Sequence, residues 1–393
     1  MTPPVIDLMS GDFYADARPA YGWMRENAPL YRDAPNGLWA VATYDGVRTV
    51  ERDAATFSNA GGSRPDTGPL PWMIDLDSPD HGKRRKLVSR GFTPGRVRDR
   101  TDSVGRLCDE LIDRVCAQGT CDLVADLAAP LPLIVIGDML GIPPEDRADL
   151  LRWSDDMLAS LSGEPERLGA AAAAFTEWND YARGMITDRR SQPRDDLVSV
   201  LVHAEVDGDR LTDDEVVFES LLLLVGGDET TRHVITGGME QLLRNEVTGQ
   251  LVADPTQLPT AVEEMLRWVS PIKNMNRTVT HDVELYDTRL AEGDKVLVLY
   301  ESANFDETHF TDPDRFDVTR SPNDHVAFGF GAHFCLGASL ARLEITLMVE
   351  RLLRRLPDLE IATTDPLPHF MATITELPVR FRPSAPVLAG PPS

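Results

Sequence analysis

Cysteine is scarce: four in 393 residues, too few to staple a chain of this length, so the fold must rest on an apolar core. Positive charge is also short, with 39 Lys and Arg against 64 Asp and Glu and a net charge of −25. That balance excludes a protein built to grip nucleic acid, which needs cations to neutralise phosphates. It leaves room for a local basic patch facing an acidic partner. No run approaches the ~18 apolar residues that cross a bilayer, so no transmembrane segment is expected. Met1 to Ser10 lacks the basic start and apolar stretch of a secretory signal, and a cytoplasmic protein is expected. Gly and Pro, 28 and 29 residues, are at ordinary levels, which excludes collagen-like and low-complexity chains.

What is present is mostly helix. Val104, Leu107, Leu111, Ile112 and Val115 recur at helical spacing within Arg98 to Gln118, and Cys108, Cys116 and Cys121 read as small helix-facing apolar residues rather than as metal ligands. Leu150, Leu151, Met157, Leu158 and Leu161 repeat the pattern, and Ala170 to Ile186 is Ala-rich. Strands are few and lie towards the two ends. Leu30 to Arg32 and Leu38 to Ala42 flank Pro35-Asn36-Gly37 as a hairpin, Lys295 to Tyr300 reads as a strand, and a last hairpin is expected from Phe370–Ile374 and Val379–Phe381. Strands do not alternate with helices, so a doubly wound sheet is excluded. The expected fold is mainly α with a small β-rich subregion. It forms a single domain over 1–393, ordered from about 8 to 383, with 384–393 a loose tail.

One helix breaks the usual rules. Thr212-Asp213-Asp214-Glu215 is a capping box, and the helix it opens should run from Val216 to about Asn245. Leu221 to Val225 is apolar on all sides, as in a buried helix. Gly226-Gly227-Asp228-Glu229-Thr230-Thr231 follows directly. Paired glycines cost about 1 kcal/mol each inside a helix, but they admit a flat ligand or a second backbone. Thr230 can bond back to the Gly226 carbonyl and open the helix locally. Two readings stand on this segment alone: a packing notch, or a proton relay of Glu229 and Thr230 beside a bound group.

The deciding segment is Phe328 to Gly337, where three glycines and Cys335 precede an apolar-periodic helix starting at Ala338. A thiol just before a helix N-terminus is expected to have a lowered pKa, because the dipole and free N–H groups favour the thiolate. Wrapped by Phe328 and Phe334, such a thiolate suits a soft metal ligand.

Phe328, Gly331, His333, Cys335 and Gly337, in that spacing, resemble the haem-binding signature of the cytochrome P450 family of haem-thiolate monooxygenases. Glu264 with Arg267 resembles the family's helical ion pair, and Asp312 to Phe316, through Arg315, resembles the segment that supplies a third partner. Gly226 to Thr231 is similar to the oxygen-activation segment, with Gly226 where the family usually carries Ala. The likeness runs from about Leu8 to Pro383. Five stretches, Phe57–Gly62, Gly226–His233, Glu240–Asn245, Val269–Arg277 and Glu301–Asp306, are further similar to the mycobacterial steroid C26-monooxygenases.

The resemblance implies a single-domain P450 fold and haem b held by Cys335 as iron ligand. It also implies His81, Arg85, Arg277 and His333 on the propionates, and Thr230 and Glu229 as alcohol and acid in dioxygen activation. It implies electrons from NAD(P)H through a ferredoxin and ferredoxin reductase, because the chain carries no flavin segment or iron–sulfur cysteine set. Arg96, Arg98 and Arg100 are expected in the docking patch. Met73, Ile74, Val225, Gly226 and Met275 are expected to line the substrate pocket. Their apolar character suits fatty acids, terpenes or macrolides as well as a sterol. Terminal hydroxylation of a cholesterol or cholest-4-en-3-one side chain, continuing towards the acid, is what the resemblance implies.

Overall fold

The computed structural model describes residues 5–159, 165–206, 208–370 and 373–388. The helix opened by the capping box spans Asp213–Arg244, with both reciprocal hydrogen bonds of the box present. It forms the spine of the helical region. It packs against Pro130–Leu140, Leu258–Val269 and Ala338–Arg355, and one continuous apolar cluster joins these elements. Cys108 and Cys116 belong to that cluster, whereas Cys121 lies in the strand Thr120–Asp122 opposite Val379 and not on a helix face. The predicted helix over 98–118 is Thr101–Val115, and the Ala-rich stretch lies in Pro165–Ser191. Leu161 lies outside the described residues.

The β-rich part is a five-stranded sheet. Leu30–Asp33 and Leu38–Val41 form the expected hairpin, with Leu30 opposite Val41. Leu38–Val41 then pairs in parallel with Lys295–Leu299, which runs antiparallel to Asn274–Val279. This sheet brings Met275 and Arg277 to the edge of the helical core.

The last hairpin differs from the expectation. His369–Phe370 pairs with Thr373–Ile374, whereas Pro378–Arg380 pairs with Thr120–Asp122 and Glu360–Ile361. Strand propensity was legible there, but the partner strand came from 250 residues earlier. Beyond it, Ser384 donates its N–H to the Cys116 carbonyl, and Asp113 accepts from the amides of Val387 and Leu388.

Candidate active site

A large, mainly apolar cavity, partly open to solvent, lies between the long helix and the cysteine loop. On the helix, Leu222, Leu223, Gly226, Gly227, Thr230, Thr231 and Val234 face it, a stripe set by the 3.6-residue period. Val225 is the exception among the expected pocket residues. One position off that stripe, it packs on the apolar core instead. Met73, Ile74, Gly226 and Met275 do line the cavity.

The glycine pair has two separate uses. A Cβ on Gly227 would stand 3.1 Å from Ile136, so this residue lets a neighbouring helix approach. A Cβ on Gly226 would meet nothing within 4 Å, so this residue leaves open space in the cavity. Thr230 Oγ1 donates to the Gly226 carbonyl at 3.0 Å, as its helical spacing predicted. The helix nevertheless remains continuous through the motif. Glu229 does not line the cavity. Its Oε1 lies 3.1 Å from Arg232 and 3.6 Å from His233 Nε2. Burial raises the Glu229 pKa and Arg232 opposes the rise. The same burial pushes His233 down to about 3, leaving it neutral.

Opposite the stripe, the loop Phe328 to Gly337 turns through Gly329 and Gly331, both with positive φ (69° and 72°). At Gly331 a Cβ would meet the Glu51 carbonyl oxygen at 2.5 Å, so glycine is required there. The Cys335 N–H donates to the Phe328 carbonyl at 2.8 Å, closing the loop. The Cys335 side chain lines the cavity and is exposed to it, with protein packed closely around the site. In the protein alone its thiol pKa is raised rather than lowered, because desolvation outweighs the amides of Gly337 and Ala338 and the charges of Arg85 and Arg342. The helix start does act in the expected direction. It is overcome by burial.

His81, Arg85, Arg277 and His333 gather on one side of this cavity. The His81 and His333 rings stack at 3.9 Å, and His81 Nε2 is buried without a hydrogen-bond partner. Burial depresses both histidines, His333 to about 3 with His81, Arg277 and Arg85 adding to the effect. Arg85 donates to the Phe334 carbonyl next to the cysteine. Arg277 pairs with Glu51, a carboxylate 1 % exposed that also accepts from Tyr300 Oη at 3.0 Å and Phe330 N at 2.9 Å. Glu51 was not legible: in sequence it is one more charge on a short helix. Glu344 was missed as well. It lines the cavity fully buried, its pKa raised by burial and by Asp228.

Behind the loop, Arg267 makes a two-pronged pair with Glu264, both distances 2.8 Å and both side chains 0 % exposed. The third cation is Arg320 and not Arg315. Arg320 Nε reaches Glu264 Oε2 at 3.0 Å, whereas Arg315 is exposed and joins only through its carbonyl, which accepts from Arg320 at 2.9 Å.

A thiol in a glycine loop, an apolar cavity over it, and a glycine- and threonine-bearing helical turn facing it make one arrangement. Residues 72–380 match the cytochrome P450 family model. The chain belongs to the cytochrome P450 family. It is 54% identical to the steroid C26-monooxygenase of Mycolicibacterium smegmatis over 99% of both chains. Identity to the steroid C26-monooxygenase of Mycobacterium tuberculosis is 55%, over 98% of this chain and 99% of that one. A methyl-branched lipid omega-hydroxylase of Mycobacterium bovis is 40% identical over 95% and 94%. Among solved structures, CYP109E1 from Bacillus megaterium in complex with corticosterone superposes with a TM-score of 0.86 at 34% identity, covering 94% of this chain and 100% of that one. As a P450, the protein is an oxidoreductase that works with haem iron, dioxygen and electrons from redox partners. No helix among the described residues is long and apolar enough to cross a membrane.

The residues present fit the haem. The cavity is floored by a thiol, walled by apolar groups, and edged by a cluster of cationic and imidazole side chains that includes an orphaned buried nitrogen, His81 Nε2. Anionic propionates require such donors.

Proposed function

We propose that this P450 hydroxylates the terminal methyl of a sterol side chain, as its named relatives act on steroids at C26. The observation that supports the reading is that Cys335 and Thr230 line one and the same apolar cavity. Cys335 would hold haem b through its sulfur, and His81, Arg85, Arg277 and His333 would hold the propionates. Bound there, haem supplies the oxidative chemistry of dioxygen, and a thiolate ligand favours O–O cleavage.

The chain's own residues do the rest. Thr230 presents its hydroxyl at the cavity wall, where it can pass a proton inward. Glu229, behind it, is held by Arg232 and set to accept protons from the solvent side. Leu222, Leu223, Ile272 and Met275 exclude water from the apolar chamber and hold an apolar substrate. Electrons would come from NAD(P)H through a ferredoxin and its reductase. Arg98, exposed, and Arg100, half-exposed, with Arg96 already 3.2 Å from Asp195, would form part of the docking patch.

The test is a spectral titration of the haem-loaded protein with cholest-4-en-3-one, followed by product analysis with a ferredoxin, its reductase and NAD(P)H. A saturable shift with a side-chain terminal alcohol or acid is expected. No shift and no sterol product would overturn the substrate. A reduced carbon monoxide spectrum lacking the thiolate signature would overturn Cys335 as ligand.

A further inference from the structure

Glu219 lies in the long helix Asp213–Arg244 with its side chain 0 % exposed. A carboxylate so buried is costly unless its charge is answered. Its Oε1 accepts the main-chain N–H of Met73 at 2.7 Å and lies 3.3 Å from Arg84 Nη1. Arg84 pairs in addition with Glu215 and donates to the Pro71 carbonyl at 2.8 Å. Burial lifts the Glu219 pKa to about 7 against the pull of Arg84, a mark of how poorly this carboxylate is compensated.

Met73 and Ile74 form a wall of the cavity. The loop that carries them is wired internally through Asp75, which accepts from Ser63 N and Leu70 N at 2.8 Å and from Trp72 Nε1 at 2.9 Å. Asn59 Nδ2 further donates to the Ile74 carbonyl at 2.9 Å. The loop is thus one unit, and Glu219 ties that unit to the long helix. Glu219 also stands on the stripe that continues through Leu222, Leu223, Gly226 and Thr230. Eleven residues separate it from Thr230, roughly 16 Å along the axis.

We propose that Glu219 is a positioning residue for regioselectivity. By pinning the Met73 amide to the helix that bears Thr230, it sets where the Met73–Ile74 wall stands and therefore which carbon of an elongated apolar substrate comes to rest beside Thr230. This rests on the proposed function for the identity of the substrate, but not for the clamp itself. Arg84 supports the carboxylate from the neighbouring helix Asp80–Val88, whose His81 and Arg85 face the cavity.

The haem-loaded enzyme and its Glu219→Leu and Glu219→Gln variants would be compared, each accepted as folded by its reduced carbon monoxide spectrum. Leucine keeps the bulk and removes the acceptor, whereas glutamine keeps an oxygen for the Met73 amide. Hydrogen exchange across residues 70–76 should quicken at least tenfold in Glu219→Leu and stay near wild type in Glu219→Gln. With cholest-4-en-3-one, Glu219→Leu should spread hydroxylation over more than one side-chain carbon, and Glu219→Gln should restore the single product. Unchanged exchange in Glu219→Leu overturns the clamp. Quickened exchange with an unchanged product distribution overturns the positioning role, because a merely structural residue would lower yield without moving the site of attack. If wild type gives no sterol product, the substrate reading fails by itself. Dodecanoic acid then serves as the second probe, and its hydroxylation pattern must shift in the same variant. If neither probe is turned over by an enzyme with an intact carbon monoxide spectrum, the regioselectivity role is overturned and the exchange result bears on the clamp alone.

Discussion

Arg320 and Glu264 meet at 3.0 Å, on the same carboxylate oxygen that takes Arg267 Nε at 2.8 Å. Glu264 is also bonded by Asp317 N and Asn323 Nδ2, so the segment after residue 311 is held to the helix Leu258–Val269 through one buried group. Removing one partner from such a network leaves charge uncompensated. Arg320→Leu should lower unfolding stability by roughly 3 kcal/mol, the scale for a broken buried pair, and reduce haem retention. Arg315→Ala should change neither, since it deletes an exposed side chain and keeps the carbonyl. Denaturant melts of the two variants side by side check this.

Gly226→Ala should stabilise the protein and narrow the site at once. Helix propensity favours Ala by about 1 kcal/mol, and the added methyl has free space. It projects into the cavity, however, so wide ligands should bind several-fold more weakly while the thermal midpoint rises. A midpoint that falls would show that the open space at Gly226 is needed by the fold.

Thr230→Ala removes the hydroxyl from the cavity wall without touching the thiol loop. Ligand affinity should hold within about twofold. Hydroxylated product per NAD(P)H should fall several-fold, with the missing reducing equivalents appearing as hydrogen peroxide or water. Unchanged product per NAD(P)H removes Thr230 from proton delivery.

His233 gives a pH dependence of definite sign. Its folded pKa, about 3, lies below the ordinary 6.5 because burial and Arg232 disfavour the cation. As pH falls through 6.5 the unfolded chain takes up the proton first, so stability is lost progressively from about pH 6.5 towards 3. His233→Asn should flatten stability against pH in that window. An unaltered slope in denaturant melts at pH 7, 6 and 5 would contradict the assignment.

Local signals in the sequence reached far into this fold. The capping box at Thr212, the hairpin around Gly37 and the loop before Ala338 are each written within about ten residues, and each forms as expected. Thr230 and Gly226 were legible for the same reason, since their hydrogen bond spans one helical turn. What escaped is set by partners distant in the chain. Val225 and Gly226 differ only in which side of a buried helix each occupies. Arg315 and Arg320 are equally plausible cations until the turn between them is built. Glu51 and Glu219 look like surface charges until Arg277 and Met73 arrive from more than 140 positions away. The thiol at Cys335 shows a third kind of limit, where local dipole and global burial oppose one another and burial wins.

The parallel pairing of Leu38–Val41 with Lys295–Leu299 bears on how the polypeptide is made. Some 250 residues must leave the ribosome before the early hairpin meets its neighbour, roughly 10–50 s at ordinary elongation rates. Throughout that interval the edge of Leu38–Val41 has no mate, and such an edge recruits other nascent chains. An edge left open for so long is the expected weak point of the nascent chain, and fragments ending before residue 295 should aggregate rather than accumulate.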